Sequence, residues 1–333
     1  MTLQQWEPCS DRSLERADPL DGSAGYGERW FLVEIDGAWG THALLQSRLP
    51  PDLGRSLVTR VEKAGYRPLA IRRTGRRADQ RREQNAWRWA IVDSRVGSES
   101  VVWGSVTDPA DLLTVPLDGS TGQPSDEPVL CVCTHARHDQ CCAVKGRPVV
   151  AALARSHPEL TWECSHLGGD RFAATMIVFP HGLYYGRVPA SDAPNLVTEY
   201  RAARIDPRYF RGRSSLPNVV QAAEAYARAA SEDHRIDAYG LRSSTQGHDG
   251  TWVVEFDHDT SGVGDSVNVM AGRAGAERVE VTLAQTMSVP LLSTCGATRA
   301  APVRQFEQRG VRVVAENAAT SGDGDAREAD ELQ

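Results

Sequence analysis

Lysine is nearly missing from this chain of 333 residues: it stands at Lys63 and Lys145 only, and arginine carries the remaining basic charge. We read that bias as GC-rich coding, silent on mechanism. Long apolar runs are missing too. The opening MTLQQWEPCSDRSLERADP has no apolar core of signal-peptide length, and no later run approaches the roughly 18 apolar residues of a membrane span. The chain is therefore expected to stay in the cytosol, off the membrane. Excess charge is scarce once the C-terminus is set aside. Asp323, Asp325, Glu328, Asp330 and Glu331 against Arg327 place -4 of the formal -7 there, leaving about -3 on the body. A nearly neutral body gives no reason to expect nucleic-acid binding.

The missing motifs exclude further classes. No C-x-x-C opens a helix, which argues against dithiol exchange of the thioredoxin kind, and the C-x-C and C-C spacings are not the C-x2-C knuckles of zinc ribbons. No GxSxG, Walker A loop or GxGxxG after a strand occurs, and SGVGDS near residue 264 reads as a turn.

Cysteine is present, in an odd number: seven in a long chain without a secretion signal, which points to thiols, metal or catalysis rather than a disulfide framework. Five of the seven fall in CVCTHARHDQCCA (131–143) and WECSHLGGDRFAA (162–174), with three histidines. Cys9 and Cys295 stand alone in sequence, and Cys9 reads as a bystander. Soft-ligand chemistry is then expected in one place only, and we read that place as an iron–sulfur site.

At this length two or three domains are expected. Residues 1–27 are polar, carry Pro8 and Pro19 and read as a flexible, poorly packed lead-in. An N-terminal α+β domain is expected over 28–115, with strands at WFLVEI, Pro68 to Ile71, WRWAIVD and SVVWG and a helix from Leu53 to Ala64 closed by Gly65. Arg72, Arg73, Arg76, Arg77, Arg81 and Arg82 make a basic loop, either a solvated hairpin or a docking patch for an acidic redox partner. PLDGSTGQPSDEP (116–128) has linker composition. Residues 126–205 give strand, helix, strand, hairpin and helix, the order of a thioredoxin-like domain. A helix opening at Pro217 and alternating runs WVVEF, SVNVMA, RVEVTLAQTM and VRVVAE predict a helical connection and a small antiparallel sheet over 206–315. Residues 316–333 read as a disordered acidic tail. The fold class expected is α+β.

A 2Fe-2S cluster needs four ligands from loops that let backbone approach metal. The first cysteine-rich piece supplies Cys133 at a strand end and Cys142 at a helix start, with Cys131 and Cys141 as spares; geometry separates Cys141 from Cys142 only weakly, because adjacent residues point in different directions. The second supplies Cys164 and His166, two apart on one strand face, then Gly168-Gly169, with Asp170 four residues after His166. Asp139 is placed to cap the helix carrying Cys142, and Arg137 and Arg171 to screen cluster charge. His135, His138 and His157 read as loop or solvent-facing residues.

These residues resemble the sucrase/ferredoxin-like family. The matching pieces are CTHARHDQCCAVKGRP, SHLGGDRFAA and PHGLYYGRV, and WFLVEIDGAWG and LAIRRTGR also resemble the family's N-terminal region, so the likeness covers roughly residues 28–190 and more loosely the remainder to about 315. The resemblance implies a thioredoxin-like ferredoxin domain and a 2Fe-2S cluster held by two cysteines of the first loop and two histidines spaced four apart in the second. Carried over residue by residue, it implies Cys133, Cys142 and His166. The fourth position holds Asp170, a harder ligand than imidazole. Asp170 ligates, or Cys164 swings in as a third thiolate, or the cluster is labile or absent. No carboxylate pair supports sucrose hydrolysis. The function implied is non-enzymatic electron transfer with an unidentified redox partner protein. The competing readings are a cluster-free thioredoxin-like scaffold that binds partners through its arginine loop, and a thiol oxidoreductase using Cys141 or Cys142.

Overall fold

A computed structural model describes residues 7–74, 86–261 and 276–314. In chain order the elements are α1 (Cys9–Glu15), β1 (Arg29–Glu34), α2 (Pro51–Lys63), β2 (Tyr66–Arg72), β3 (Trp87–Asp93), β4 (Ser100–Val106), β5 (Gln123–Pro124) and β6 (Val129–Cys133). Then come α3 (Gln140–Ser156), β7 (Thr161–Cys164), β8 (Met176–Phe179), β9 (Leu183–Tyr185), α4 (Ala193–Arg201), β10 (Phe210–Arg213) and α5 (Asn218–Ser231). The chain closes with β11 (Tyr239–Gln246), β12 (Thr251–Asp259), β13 (Ala276–Met287) and β14 (Arg304–Val314).

The central strands are read from their composition. VLCVC and MIVF are apolar without alternation, and every residue of β6 and β8 is buried, as strands covered on both faces must be. Leu130 and Val132 turn towards Val149, Val150 and Leu153 of α3 and Leu196 and Val197 of α4. Val129, Cys131 and Cys133 turn the other way, towards Trp30, Trp162 and Phe179. β6 and β7 are parallel, joined by α3, while β8 runs antiparallel to β6 and β9 antiparallel to β8, giving the spatial order β9-β8-β6-β7. This is the thioredoxin-like arrangement, followed by α4, inside a mixed α/β molecule.

Residues 28–115 and 126–205 contribute to one sheet. Its order is β10-β9-β8-β6-β7-β2-β1-β3-β4-β5, joined where Ile71 and Arg72 of β2 pair with Cys164 and Glu163 of β7. The linker-like segment 116–128 supplies the edge strand β5. On the N-terminal half, α2 buries Leu57 and Val61, four apart, against Phe31, Val33 and Ile91, with Pro51 at its first turn and Gly65 in the left-handed conformation just past its end. The second sheet, β11-β12-β13-β14, is antiparallel throughout and is covered by Val220, Ala223 and Ala227 of α5.

Two expectations are corrected. The described part of the lead-in is packed: Cys9, Ser13 and Ala24 are buried, and Arg187 donates to the carbonyl oxygens of Ser13 and Asp18. The polar composition misled because α1 is held by side-chain hydrogen bonds rather than by an apolar stripe. Arg72 and Arg73 are not a solvated patch either. Arg72 pairs with Glu163 at 2.6 Å, and Arg73 is buried over the ring of Trp162, donating to the carbonyl of Thr161. Arg76, Arg77, Arg81, Arg82, SGVGDS, SVNVMA and the acidic tail lie outside the described residues. No described helix is long and apolar enough to cross a membrane.

Candidate metal centre

β6 ends at Cys133, and the loop 134–139 folds back so that α3 starts beside it. Asp139 caps this helix, its Oδ1 accepting the Cys141 amide at 2.8 Å, as the sequence led us to expect. Successive helical residues point about 100° apart, and that separates the two thiols. Cys142 turns towards Cys133; Cys141 turns away from it. Gly146 keeps α3 tight against the strand, since a Cβ there would lie 2.2 Å from the Cys133 carbonyl oxygen.

The second loop leaves β7 and passes Gly168 and Gly169, both at positive φ. These turns bring His166 and Asp170 over the first loop. The Sγ atoms of Cys133 and Cys142 and a ring nitrogen of His166 all lie within 4.8 Å of one another, and ligand atoms of His138, His166 and Asp170 do likewise. Cys142 Sγ donates to Asp170 Oδ1 at 3.1 Å. His166 Nδ1 lies 3.0 Å from the same oxygen, close enough for charge attraction but out of line for a hydrogen bond, so this buried nitrogen has no aligned partner. Cys133, Cys142 and Asp170 are buried, while His166 is partly open to solvent beneath the exposed ring of His138, stacked at 3.6 Å. A cleft of about 260 Å³ reaches the two rings, lined also by His42, Leu45, His135 and Ser165.

The four groups set one another's protonation, and a metal would bind as Cys142 and His166 give up their protons. The hydrogen bond from Cys142, against the opposing effect of burial and with help from His166, brings the Cys133 thiol down to about 5. Burial would lower His166, but Asp170 and Cys133 overcome it and hold the imidazole up to about 9. Cys142 is raised, first by its bond to Cys133 and then by burial. Burial raises Asp170, yet His166 and Cys142 hold it below the usual carboxylate range. Two thiols, an imidazole and a carboxylate form a donor set that fits iron–sulfur or zinc ligation.

Cys164 sits opposite Cys133 in the parallel register but is fully buried beside Cys131, and burial raises its thiol; it lies outside the Cys133–Cys142–His166 group. His135 is buried, not solvent-facing, with Nε2 against the Gly40 carbonyl at 2.7 Å. Arg171 turns to Asp18 at 3.6 Å. The reading that Cys9 and Cys295 stand alone, leaving one place only for soft ligands, is corrected as well. Ligand atoms of Cys9, Asp139, Cys141 and Cys295 form a further group within 4.8 Å, brought together from sequence positions up to 286 apart.

Sequence reasoning missed the braces behind the second loop. Fully buried Arg211 donates to the Gly168 carbonyl, and Arg67 and the Tyr184 hydroxyl to that of Leu167. A Cβ at Gly169 would strike the Arg211 guanidinium at 2.3 Å. No local signal marks Arg211, because its partner loop lies 43 residues away.

The profile of the Sucrase/ferredoxin-like family matches residues 20–212, more than half of the chain. A solved thioredoxin-like [2Fe-2S] ferredoxin from Aquifex aeolicus is similar at 20% identity, covering 28% of this chain and 97% of its own, with a TM-score of 0.25. No curated protein matches.

Proposed function

As the chain belongs to the sucrase/ferredoxin-like family, we propose that it is an electron carrier whose 2Fe-2S cluster is held by Cys133, Cys142, His166 and Asp170. The observation that carries this reading is the convergence of two cysteine sulfurs and a histidine nitrogen within 4.8 Å at the mouth of the thioredoxin-like domain. When bound, such a cluster supplies one-electron redox chemistry. The chain's own residues do the rest. Cys133 and Cys142, fixed by a strand end and a capped helix, supply thiolates. His166 supplies the neutral nitrogen at the solvent side, and buried Asp170 holds its ring by charge and closes the set. Leu167 to Gly169, braced by Arg67, Tyr184 and Arg211, keep that loop from swinging out.

Burial on three sides and partial exposure at His166 make the His138–His166 ring stack the place for a redox partner protein to approach. A cluster-free scaffold gives no reason for two thiols, an imidazole and a carboxylate to converge at one site. The thiol oxidoreductase reading would need an accessible sulfur, and Cys141 and Cys142 are both buried.

Anaerobic reconstitution with iron and sulfide tests the proposal. It should yield a red-brown protein with about two irons per chain, and the reduced form should show coupling of the electron spin to imidazole nitrogen that disappears in His166→Cys. A colourless, iron-free protein after reconstitution would sink the proposal.

A further inference from the structure

We propose that Cys9, Cys141 and Cys295, closed by the Asp139 carboxylate, form a second metal site that takes a zinc-class divalent ion and fastens both ends of the fold to α3. The three sulfurs form a triangle: Cys141 to Cys295 at 3.0 Å, Cys9 to Cys141 at 3.6 Å and Cys9 to Cys295 at 3.6 Å. A tetrahedral zinc thiolate site, with bonds near 2.3 Å, sets its sulfurs about 3.8 Å apart, so a small outward relaxation admits the ion. Asp139 Oδ2 stands 3.9 Å from Cys9 Sγ.

The surroundings are those of a ligand shell rather than of three thiols packed as hydrophobes. Asp139 fixes two of the ligands through the backbone, accepting the Cys141 amide at 2.8 Å on Oδ1 and the Cys295 amide at 2.7 Å on Oδ2. Donors point at the sulfurs: the Ser10 hydroxyl at Cys141 Sγ, 3.4 Å, and the Cys9 amide at Cys295 Sγ, 3.5 Å. Such outer hydrogen bonds orient metal thiolates and stabilise their charge. The start of the 17-residue α3 lies alongside and favours that negative charge further. A disulfide between Cys141 and Cys295 would satisfy only two of the three sulfurs, and it would leave Cys9 and the carboxylate without a role.

Coordination forms three sulfur–metal bonds and one carboxylate oxygen–metal bond as three thiol protons and the ion's bound waters leave to solvent, with no change of oxidation state. The ion joins α1, the start of α3 and the segment before β14, so that residues 286 apart become neighbours through one atom. This site does not depend on the cluster proposed at Cys133 and Cys142.

Cobalt(II) titration of the full chain carrying Cys133→Ser, in which the cluster site is disabled, tests the proposal apart from the cluster. One cobalt per chain should bind, with the visible bands of tetrahedral geometry and thiolate charge-transfer absorption, and zinc should displace it. Adding Cys9→Ser or Cys295→Ser should weaken binding at least tenfold, whereas adding Cys164→Ser should not. Unchanged cobalt binding in both of those double variants would overturn the assignment. So would a Cys141–Cys295 disulfide found by mass spectrometry in protein purified under reducing conditions. If a variant does not fold, the wild-type chain decides: zinc should protect the partly exposed Cys295 from alkylation and a chelator should restore labelling, and equal labelling of Cys295 in both conditions counts against the site.

Discussion

At the scale of single residues, the chemistry is set by which neighbours a polar atom faces. Cys133→Ser and Cys142→Ser should each abolish iron retention or weaken it by more than the roughly 10-fold that losing a supporting outer hydrogen bond costs, as read by iron content after gel filtration, while Cys164→Ala should keep full occupancy because that thiol lies in the core beside Cys131. Retained iron in Cys142→Ser would refute the ligand set. His166→Cys exchanges a neutral imidazole for a thiolate. The added negative charge opposes an incoming electron, so the midpoint should fall, as an anaerobic redox titration would report. Away from the site, Asp233 offers a clean acid switch. Burial raises its carboxyl, but hydrogen bonds from Arg235, with His258 Nε2 at 3.0 Å, hold it well below the usual carboxylate range. A depressed folded-state pKa stabilises the fold above the unfolded value, near 3.9, and that contribution is lost as pH falls below it. Urea midpoints should therefore drop from about pH 4 downward, with a shallower slope in Asp233→Asn; identical slopes would remove Asp233 from the account.

At the scale of elements, the approach of α3 to β6 matters most. Gly146→Ala would help an isolated helix by about 1 kcal/mol, but the new Cβ would lie 2.2 Å from the Cys133 carbonyl oxygen. The clash should win, with a net loss of about 1–3 kcal/mol and weaker iron retention, measured by urea unfolding and metal content on one preparation. Elements of this kind were legible in sequence. The first strand and the hairpin expected within 126–205 appear as VLCVC and as MIVF with LYY, with Asp139 as a cap and Gly65 as a stop, because each depends on nearest neighbours in the chain. The facing of Cys142 rather than Cys141 towards Cys133 was not legible from spacing, since it depends on the exact phase at which α3 begins.

At the scale of the whole molecule, contacts distant in sequence decide what the pattern left open. The pairing of β2 with β7, the meeting of Cys9 with Cys295 and the reach of Arg211 to Gly168 link positions that share no local signal. The polar lead-in was misread for the same reason: Gln221 of α5 accepts the Ala24 amide and donates to the carbonyls of Arg213 and Leu216, and no window of the sequence contains that network. Within α5, Arg228 pairs with buried Glu224, and its guanidinium also donates to the carbonyls of Arg235 and Ile236, tying the helix to the segment that leads into β11. Arg228→Met leaves Glu224 charged and unpaired, so it should cost about 3–5 kcal/mol in denaturant unfolding. Adding Glu224→Gln should recover part of that loss, and a strictly additive double variant would argue against coupling.

Both sheets are open, and each open sheet offers unpaired backbone along its outer strands. Each of the four outer strands is blunted. β5 has two residues, and Pro124 lacks an N–H. β10 has four and slips register between Phe210 and Gly212; β11 slips between Leu241 and Ser243. β14 is long and exposes Val313, but it carries Arg304, Glu307, Arg309 and Arg312. Short length, proline, bulges and charge are the features that deter edge-to-edge addition. Among the described residues, no outer strand is at once long, flat and uncharged, so the same chain can keep two unclosed sheets in crowded solution without templating aggregation of its copies.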